Sequence, residues 1–309
     1  MTKTNTAFYS LKNVAIIFGI IVLYLLVSYF LIGFKSDQLV LSGVFCVSYF
    51  GSATSRKFIL GFSIFIVYWI IFDYMKAFPN YDYNEVNIAA LHDTEQSLFG
   101  INENGVIITP NEFWLHHTTN WLDVMAGIFY LCWIPVPLAF AAWLFLKDKK
   151  IFLEFSFTFV LVNMMGFIIY YAYPAAPPWY FERYGAAFIA HTPGNSAGLH
   201  RFDDYFNAGI FSSIYAKSSN VFAAMPSLHS SYPLIVLYYG IKKKMGWINL
   251  LFIVVMAGIW FTAVYASHHY LLDVLAGIVC AITGIFIFQK GLMNTESFKK
   301  FLQYFLSKI

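Results

Sequence analysis

Long apolar runs separated by short charged turns set the pattern of this chain. Val14–Gly33 is the first run that meets the roughly 20 residues a membrane helix needs. Leu39–Ala53 is apolar but shorter, either a short second span or a re-entrant piece. Phe58–Ala77 follows. Two hairpins come next: Trp121–Phe145 with Phe152–Tyr173 around Lys147-Asp148-Lys149-Lys150, and Pro226–Ile241 with Trp247–Ala266 around Lys242-Lys243-Lys244. A last run goes from His269 to Gln289. Two long polar stretches, 79–120 and 174–226, interrupt the series, and their Gly, Pro and Asn residues mark them as loops. The expected fold is all-α: a polytopic membrane helix bundle of about eight spans.

Composition supports that class. Of 309 residues 60% are hydrophobic and only 11% charged, about half the charge of a soluble domain. The net charge of +3 comes with no basic tract or zinc-finger spacing, so nothing points to nucleic acid. Cys46, Cys132 and Cys280 each fall inside an apolar run, as isolated thiols and not as a disulfide framework or metal cluster. Lys3 and Lys12 precede a first run that is longer than a signal-peptide core and lacks a clear small-residue cleavage site, so a retained span is expected. Basic residues in short loops mark the cytoplasmic side. Arg56-Lys57, both lysine turns and Lys290, Lys299, Lys300 and Lys308 fall on one side of an eight-span path, while the long loops and all eight histidines fall on the other.

Candidate chemistry concentrates in two stretches. Ser267-His268-His269-Tyr270-Leu271-Leu272-Asp273 lies between two apolar runs, where ionisable residues are costly and point to function. On a helix starting at His269, residues four apart share a face, which pairs His269 with Asp273 and His268 with Leu272. A carboxylate beside His269 fixes its tautomer and leaves the other nitrogen free as base, nucleophile or ligand. Upstream, Met225-Pro226-Ser227-Leu228-His229 places Pro226 at the first position of an expected helix, with the Ser227, Leu228 and His229 amides open to an anion. Two histidines, an Asp and an open helix N-terminus suggest phosphoryl chemistry.

These residues resemble a known family. Pro-Ser-x-x-His, a helical hairpin and then His-x-x-x-Asp is similar to the type 2 phosphatidic acid phosphatase superfamily. Within it, Tyr173-Pro174-Ala175-Ala176-Pro177-Pro178-Trp179-Tyr180, Pro193-Gly194, Gly198-Leu199-His200-Arg201-Phe202-Asp203 and the two histidine stretches resemble the aureobasidin-sensitive inositol phosphorylceramide synthases. The resemblance implies N-terminal helices over 1–57, a six-helix catalytic core over 58–290 and a cytoplasmic tail over 291–309. It implies His269 as nucleophile, Asp273 as its orienting partner and His229 as acid and base, with a phosphohistidine intermediate. The activity implied is a phosphotransferase moving phosphoinositol from phosphatidylinositol to ceramide and releasing diacylglycerol, with lipid phosphate phosphatase as the alternative. Phosphocholine and phosphoethanolamine stay open as headgroups, as does the oligomeric state. The implied site faces the periplasm in a bacterium and the Golgi lumen in a eukaryote.

Departures from the superfamily sharpen the substrate. Its phosphatases carry Lys-x6-Arg-Pro and an Arg six residues before the nucleophilic His; the corresponding positions here are Gly166, Tyr173 and Ala263. A phosphomonoester near-dianion calls for several cationic donors, a phosphodiester for fewer. Arg201 is the remaining candidate for phosphate contact, and Ser227, Trp179 and Tyr180 are further candidates for substrate binding. For Trp179 and Tyr180 taken alone, an interfacial aromatic belt is the simpler account. Mid-span Asn163 is expected to bond between helices, and Asp203 to pair with Arg201. No cofactor and no metal site is expected, since no ligand spacing accompanies His116-His117, His191 or His200. In a background with the native cysteines replaced, Lys149→Cys and Lys243→Cys should be protected from an impermeant thiol reagent in intact cells. Asn104→Cys and Asn195→Cys should be labelled, and the reverse pattern contradicts the orientation.

Overall fold

The computed structural model describes residues 10–217 and 220–309. Lys3 lies outside the described residues. The chain divides into two compact units, one running to Phe78 and including Lys299–Ile309, the other Pro79–Phe298. The third apolar helix thus groups with the first two.

The first unit holds α1 (Leu11–Ile32), α2 (Ser36–Gly51) and α3 (Ala53–Tyr74). Ser10 and Ser52 cap α1 and α3 through their hydroxyls, and Gly33 closes α1 at φ +75°. Ser28 and Tyr74 hydroxyls bond at 2.8 Å, joining α1 to α3. Arg56 is 6% exposed because its Nε donates to the Tyr49 carbonyl and its head lies over the Tyr49 ring.

In the second unit, the stretch 79–120 is more ordered than a loop. It folds into α4 (Ala89–Phe99), a hairpin of β1 (Ile101–Glu103) and β2 (Val106–Ile108), and α5 (Pro110–His116). Asn104 and Gly105 both take positive φ, the requirement of a two-residue hairpin turn. Thr109 and Glu112 cap α5 reciprocally, with Pro110 at its first position. The membrane helices follow: α6 (Asn120–Leu131), α7 (Pro135–Lys147) and α8 (Lys149–Ala172). The run expected over 121–145 is broken at 132–134 because Pro135 and Pro137 cannot donate into a continuing helix. Stretch 174–226 carries α9 (Pro178–Tyr184), α10 (His200–Phe206) and α11 (Ile210–Tyr215). Then come α12 (Leu228–Lys242), α13 (Ile248–Tyr265) and α14 (Leu271–Phe286); the last helix, α15 (Glu296–Leu306), belongs mostly to the first unit.

Eight helical segments therefore stand at the eight expected positions. Among the described residues, six helices are long and apolar enough to cross a membrane: Leu11–Ile32, Ala53–Ala77, Asn120–Lys147, Lys149–Ala172, Ile248–Tyr265 and Leu271–Asn294. Helices α2 and α12 are shorter, at 16 and 15 residues. The outward apolar surface, with Phe30, Leu146, Ile168 and Val279 exposed, suits contact with lipid tails. This is an integral membrane protein.

Helix α12 is the axis of the second unit, packing on α7, α8, α13 and α14. Its buried polar groups bond across helices, as membrane helices require. Tyr232 Oη donates to Asn163 Oδ1 at 2.6 Å, the interhelical bond expected of Asn163. Tyr239 and Thr158 hydroxyls meet at 2.6 Å, and Ser231 Oγ donates to the Gly277 carbonyl. Gly277 is required for close approach, since a Cβ there would stand 2.1 Å from the Ser227 carbonyl oxygen. At the basic end Lys242 pairs with Glu154 and Lys243 with Asp148, tying both lysine turns together. The histidines lie at the opposite end of α12 and at the turn between α13 and α14.

Candidate active site

The turn that carries the histidine pair is built on one carbonyl. Helix α13 ends at Tyr265, and Ser267 adopts φ +55°. The chain reverses so that the amides of both His268 and His269 reach the Ala263 oxygen, at 3.1 and 2.9 Å. Such a left-handed residue without glycine persists only where its surroundings hold it. Ser267 Oγ donates to Glu182 Oε1 at 2.7 Å, and its carbonyl accepts the Trp179 amide. Burial raises the Glu182 carboxyl to about 7, against the lowering effect of that hydroxyl.

Helix α14 begins at Leu271, two residues later than the sequence pattern implies. His269 therefore precedes the helix, and the shared-face argument does not apply to either histidine. The pairing of His269 with Asp273 survives by another route. Asp273, in the first turn, bends back to accept the Tyr270 amide at 2.9 Å and places Oδ2 3.6 Å from His269 Nδ1. That separation exceeds a hydrogen bond, and His269 Nδ1 has no such partner among the described residues. His268 does not face Leu272. Its Nε2 meets the Ser196 carbonyl at 2.9 Å, and its ring stacks between Tyr215 and Tyr130.

His229 completes the arrangement, with Nδ1 3.0 Å from His269 Nε2 and 3.2 Å from the Tyr130 hydroxyl. Trp133 lies edge-on to the His229 ring. Burial holds His269 down to about 4, so at neutral pH its imidazole is uncharged and carries a lone pair. His268 is likewise pushed well below its usual value, by burial first and by its neighbouring histidines second. The three residues expected to act together, His229, His269 and Asp273, are thus in one cluster.

The amide cradle expected at Pro226 is narrower than anticipated. Helix α12 starts at Leu228 with Ser227 as its cap, so Pro226 is outside the helix. The Ser227 amide is taken by the Asp273 carbonyl at 2.9 Å, and its fully buried hydroxyl accepts from Ser230. Ser227 is therefore placed as a brace between α12 and α14. Trp179 and Tyr180 lie in a buried apolar cluster with Ile88, Ala176 and Phe222. The Tyr180 hydroxyl donates to the Ala187 carbonyl and accepts the Ile189 amide.

Arg201 on α10 is paired with Asp123, not with Asp203. Its Nε donates to Asp123 Oδ1 at 2.5 Å. Asp203 instead accepts the amides of Ile210, Phe211 and Ser212 and so caps α11. Two of the three positions that hold cations in superfamily phosphatases, Gly166 and Ala263, are closed by packing. Gly166 faces Leu228, so any side chain there would strike it, and Ala263 is wholly buried. Tyr173 caps α8 and is 37% exposed.

Sequence reasoning missed the groups that lock this end of the bundle. Glu95, fully buried on α4, accepts the Leu271 and Leu272 amides at 2.9 and 3.1 Å and so seals the start of α14. Burial raises its carboxyl, with those two amides opposing. Asn111 donates to the Val264 and His269 carbonyls. The Thr109-Pro110-Asn111-Glu112 capping signature could have identified a structured segment there. Asp123, an acid near the start of an apolar run, meets the same rule that singled out the histidines.

Comparison with known sequences fits this geometry. The sequence model of the PAP2 superfamily matches residues 91–287, which takes in α4 through α14. The chain belongs to the PAP2 superfamily. It is 44% identical over 302 residues to a phosphoinositol dihydroceramide synthase of Bacteroides thetaiotaomicron, covering 97% of this chain and 99% of that protein. It is 30% identical to the inositol phosphorylceramide synthase of Candida albicans, over 66% of this chain and 42% of that protein. It is also 30% identical to the catalytic subunit of the Saccharomyces cerevisiae inositol phosphorylceramide synthase, over 69% of this chain and 52% of that protein. The chain thus spans about half the length of these fungal relatives. No solved structure matches it.

His268, as placed, is a packing residue. His268→Ala should lower the thermal midpoint of the purified protein, by an amount corresponding to about 1–3 kcal/mol for the partner group left unsatisfied. The folded fraction should keep turnover within a few-fold of the parent. A stable but inactive His268→Ala protein contradicts this placement.

Proposed function

We propose that this protein is a sphingolipid headgroup transferase that moves phosphoinositol from phosphatidylinositol to ceramide or dihydroceramide and releases diacylglycerol. The observation that carries the reading is the contact of His229 Nδ1 with His269 Nε2 at 3.0 Å, with Asp273 behind the other His269 nitrogen. A neutral nucleophile, an orienting carboxylate and a second imidazole are the parts that a two-step phosphoryl transfer requires. The near-full-length similarity to a synthase named for dihydroceramide supports the acceptor.

In the first step His269 Nε2 forms a bond to phosphorus. The bond from phosphorus to the glycerol oxygen breaks, and His229 delivers a proton to that oxygen, so diacylglycerol leaves. Positive charge developing on His269 draws Asp273 from its resting 3.6 Å into a hydrogen bond, a tightening common on the way to a transition state. In the second step the ceramide primary hydroxyl gives its proton to His229 and attacks phosphorus, and the bond to Nε2 breaks. Attack needs the nitrogen about 3–3.5 Å from phosphorus, so the phosphoryl group enters between the imidazoles and parts them.

Absence of the phosphatase cations supports a diester donor. With Gly166 and Ala263 packed shut, Arg201 remains to meet the single phosphate charge. Each missing charge-assisted contact is worth about 1.5–3 kcal/mol, which a dianionic monoester would forfeit. The site would face away from the cytosol, since the basic turns lie at the other end of α12.

Purified protein given phosphatidylinositol and fluorescent ceramide should form inositol phosphorylceramide and diacylglycerol. Release of inorganic phosphate from phosphatidic acid should be negligible. His269→Ala, His229→Ala and Asp273→Asn should each cut transfer by orders of magnitude while the protein still folds. Rapid phosphate release from phosphatidic acid, unaffected by ceramide, would instead establish a lipid phosphate phosphatase.

A further inference from the structure

Arg201 is held by a framework that neither the family motifs nor the sequence pattern singles out. Asp123, at the start of α6, accepts Arg201 Nε at 2.5 Å and the Tyr265 hydroxyl at 2.8 Å on the same oxygen, Oδ1. The guanidinium lies over the Tyr265 ring, 5.1 Å from its centre. One edge of the head is thereby fixed by a carboxylate and one face by an aromatic ring. Arg201 Nη2 is buried and has no hydrogen-bond partner among the described residues. A buried, charged N–H without an acceptor is costly, and such a group calls for a ligand.

The position of the head says which ligand. A side chain at Gly198 would stand 2.8 Å from Ala266 Cα and 2.8–2.9 Å from both Arg201 Nη atoms. The guanidinium and the turn carrying His268 and His269 therefore converge on one point, and only glycine at 198 lets them meet. The Gly198 amide also donates to the Ala266 carbonyl, which joins the start of α10 to that turn. A planar cation packed against the turn that leads to His269, with an N–H unbonded among the described residues, matches an anionic phosphodiester oxygen.

We propose that Asp123, assisted by Tyr265, is a positioning residue that aims Arg201 Nη2 at the non-bridging phosphate oxygen of the donor lipid. This rests on the transferase reading above for the identity of the donor. Asp123 touches no substrate; it acts through Arg201. One oriented guanidinium then serves where superfamily phosphatases use three cations, and its orientation matters more than its charge. A lysine at 201 would keep the charge but lose the fork that Asp123 grips.

The test is a double-mutant cycle read on diacylglycerol release from phosphatidylinositol in mixed micelles. Arg201→Lys and Asp123→Asn should each slow release by at least about tenfold, and the double variant should be no more than about twofold slower than Arg201→Lys alone. Added guanidinium should restore part of the activity of Arg201→Ala, and that rescue should vanish when Asp123→Asn is combined with it. If Asp123→Asn is not recovered folded, Tyr265→Phe, which removes only the phenol bond to the same carboxylate, takes its place in the cycle. Losses that multiply in the double variant, or rescue that survives without Asp123, would overturn the proposal. Failure of the acceptor assignment has a different signature: diacylglycerol is released, but no ceramide product forms.

Discussion

The site depends on how the starts of α12 and α14 dock. The Ser227 amide bonds to the Asp273 carbonyl, and Gly277 lets the two backbones approach more closely than any side chain would permit. This joint brings His229 and His269, forty positions apart in the chain, to 3.0 Å. Because both histidines sit at helix starts, the joint fixes them through backbone geometry and not through long side chains. Glu95 and Asn111 reinforce it from the segment before α6, one closing the amides of α14 and the other holding the His269 carbonyl.

Burial then sets the chemistry. An imidazole away from water disfavours its charged form, and His269 is accordingly held neutral at physiological pH, as its proposed role as nucleophile requires. The same burial makes every unpaired polar atom costly. Among the described residues, His269 Nδ1, Asp273 Oδ1 and Arg201 Nη2 are nonetheless left without hydrogen-bond partners. All three belong to the groups proposed to meet or stabilise a transferring phosphoryl group. Interactions that strengthen only as charge develops accelerate a reaction, whereas interactions already satisfied at rest do not.

Much of this was legible in the sequence, and the reasons are physical. Apolar runs of about 20 residues have few alternatives in a membrane, so the eight helical positions follow from hydropathy. The His269–Asp273 pair was legible because the spacing brings them together whether the turn is helical or, as found, only begins a helix. What the spacing does not show is the helix start itself, on which the neighbour of His268 depends. Partners across long sequence gaps were also invisible: Asp123 for Arg201, Glu95 for α14, Asn111 for the turn. Nothing local distinguishes a loop carboxylate that caps a distant helix from one in water. For Tyr180, likewise, an aromatic near a membrane interface carries no mark in the sequence of the buried cluster in which it packs.

The central claim is that His269 Nε2 bonds to phosphorus during turnover. The direct measurement is acid-labile, base-stable label on the protein after rapid quenching with phosphatidylinositol radiolabelled at phosphorus, followed by peptide mapping. Label is expected on the peptide containing His269, none in His269→Ala, and loss of the label into inositol phosphorylceramide when ceramide is added. Undiminished turnover with no label at His269, or label that resides on another residue and discharges to ceramide, would contradict it.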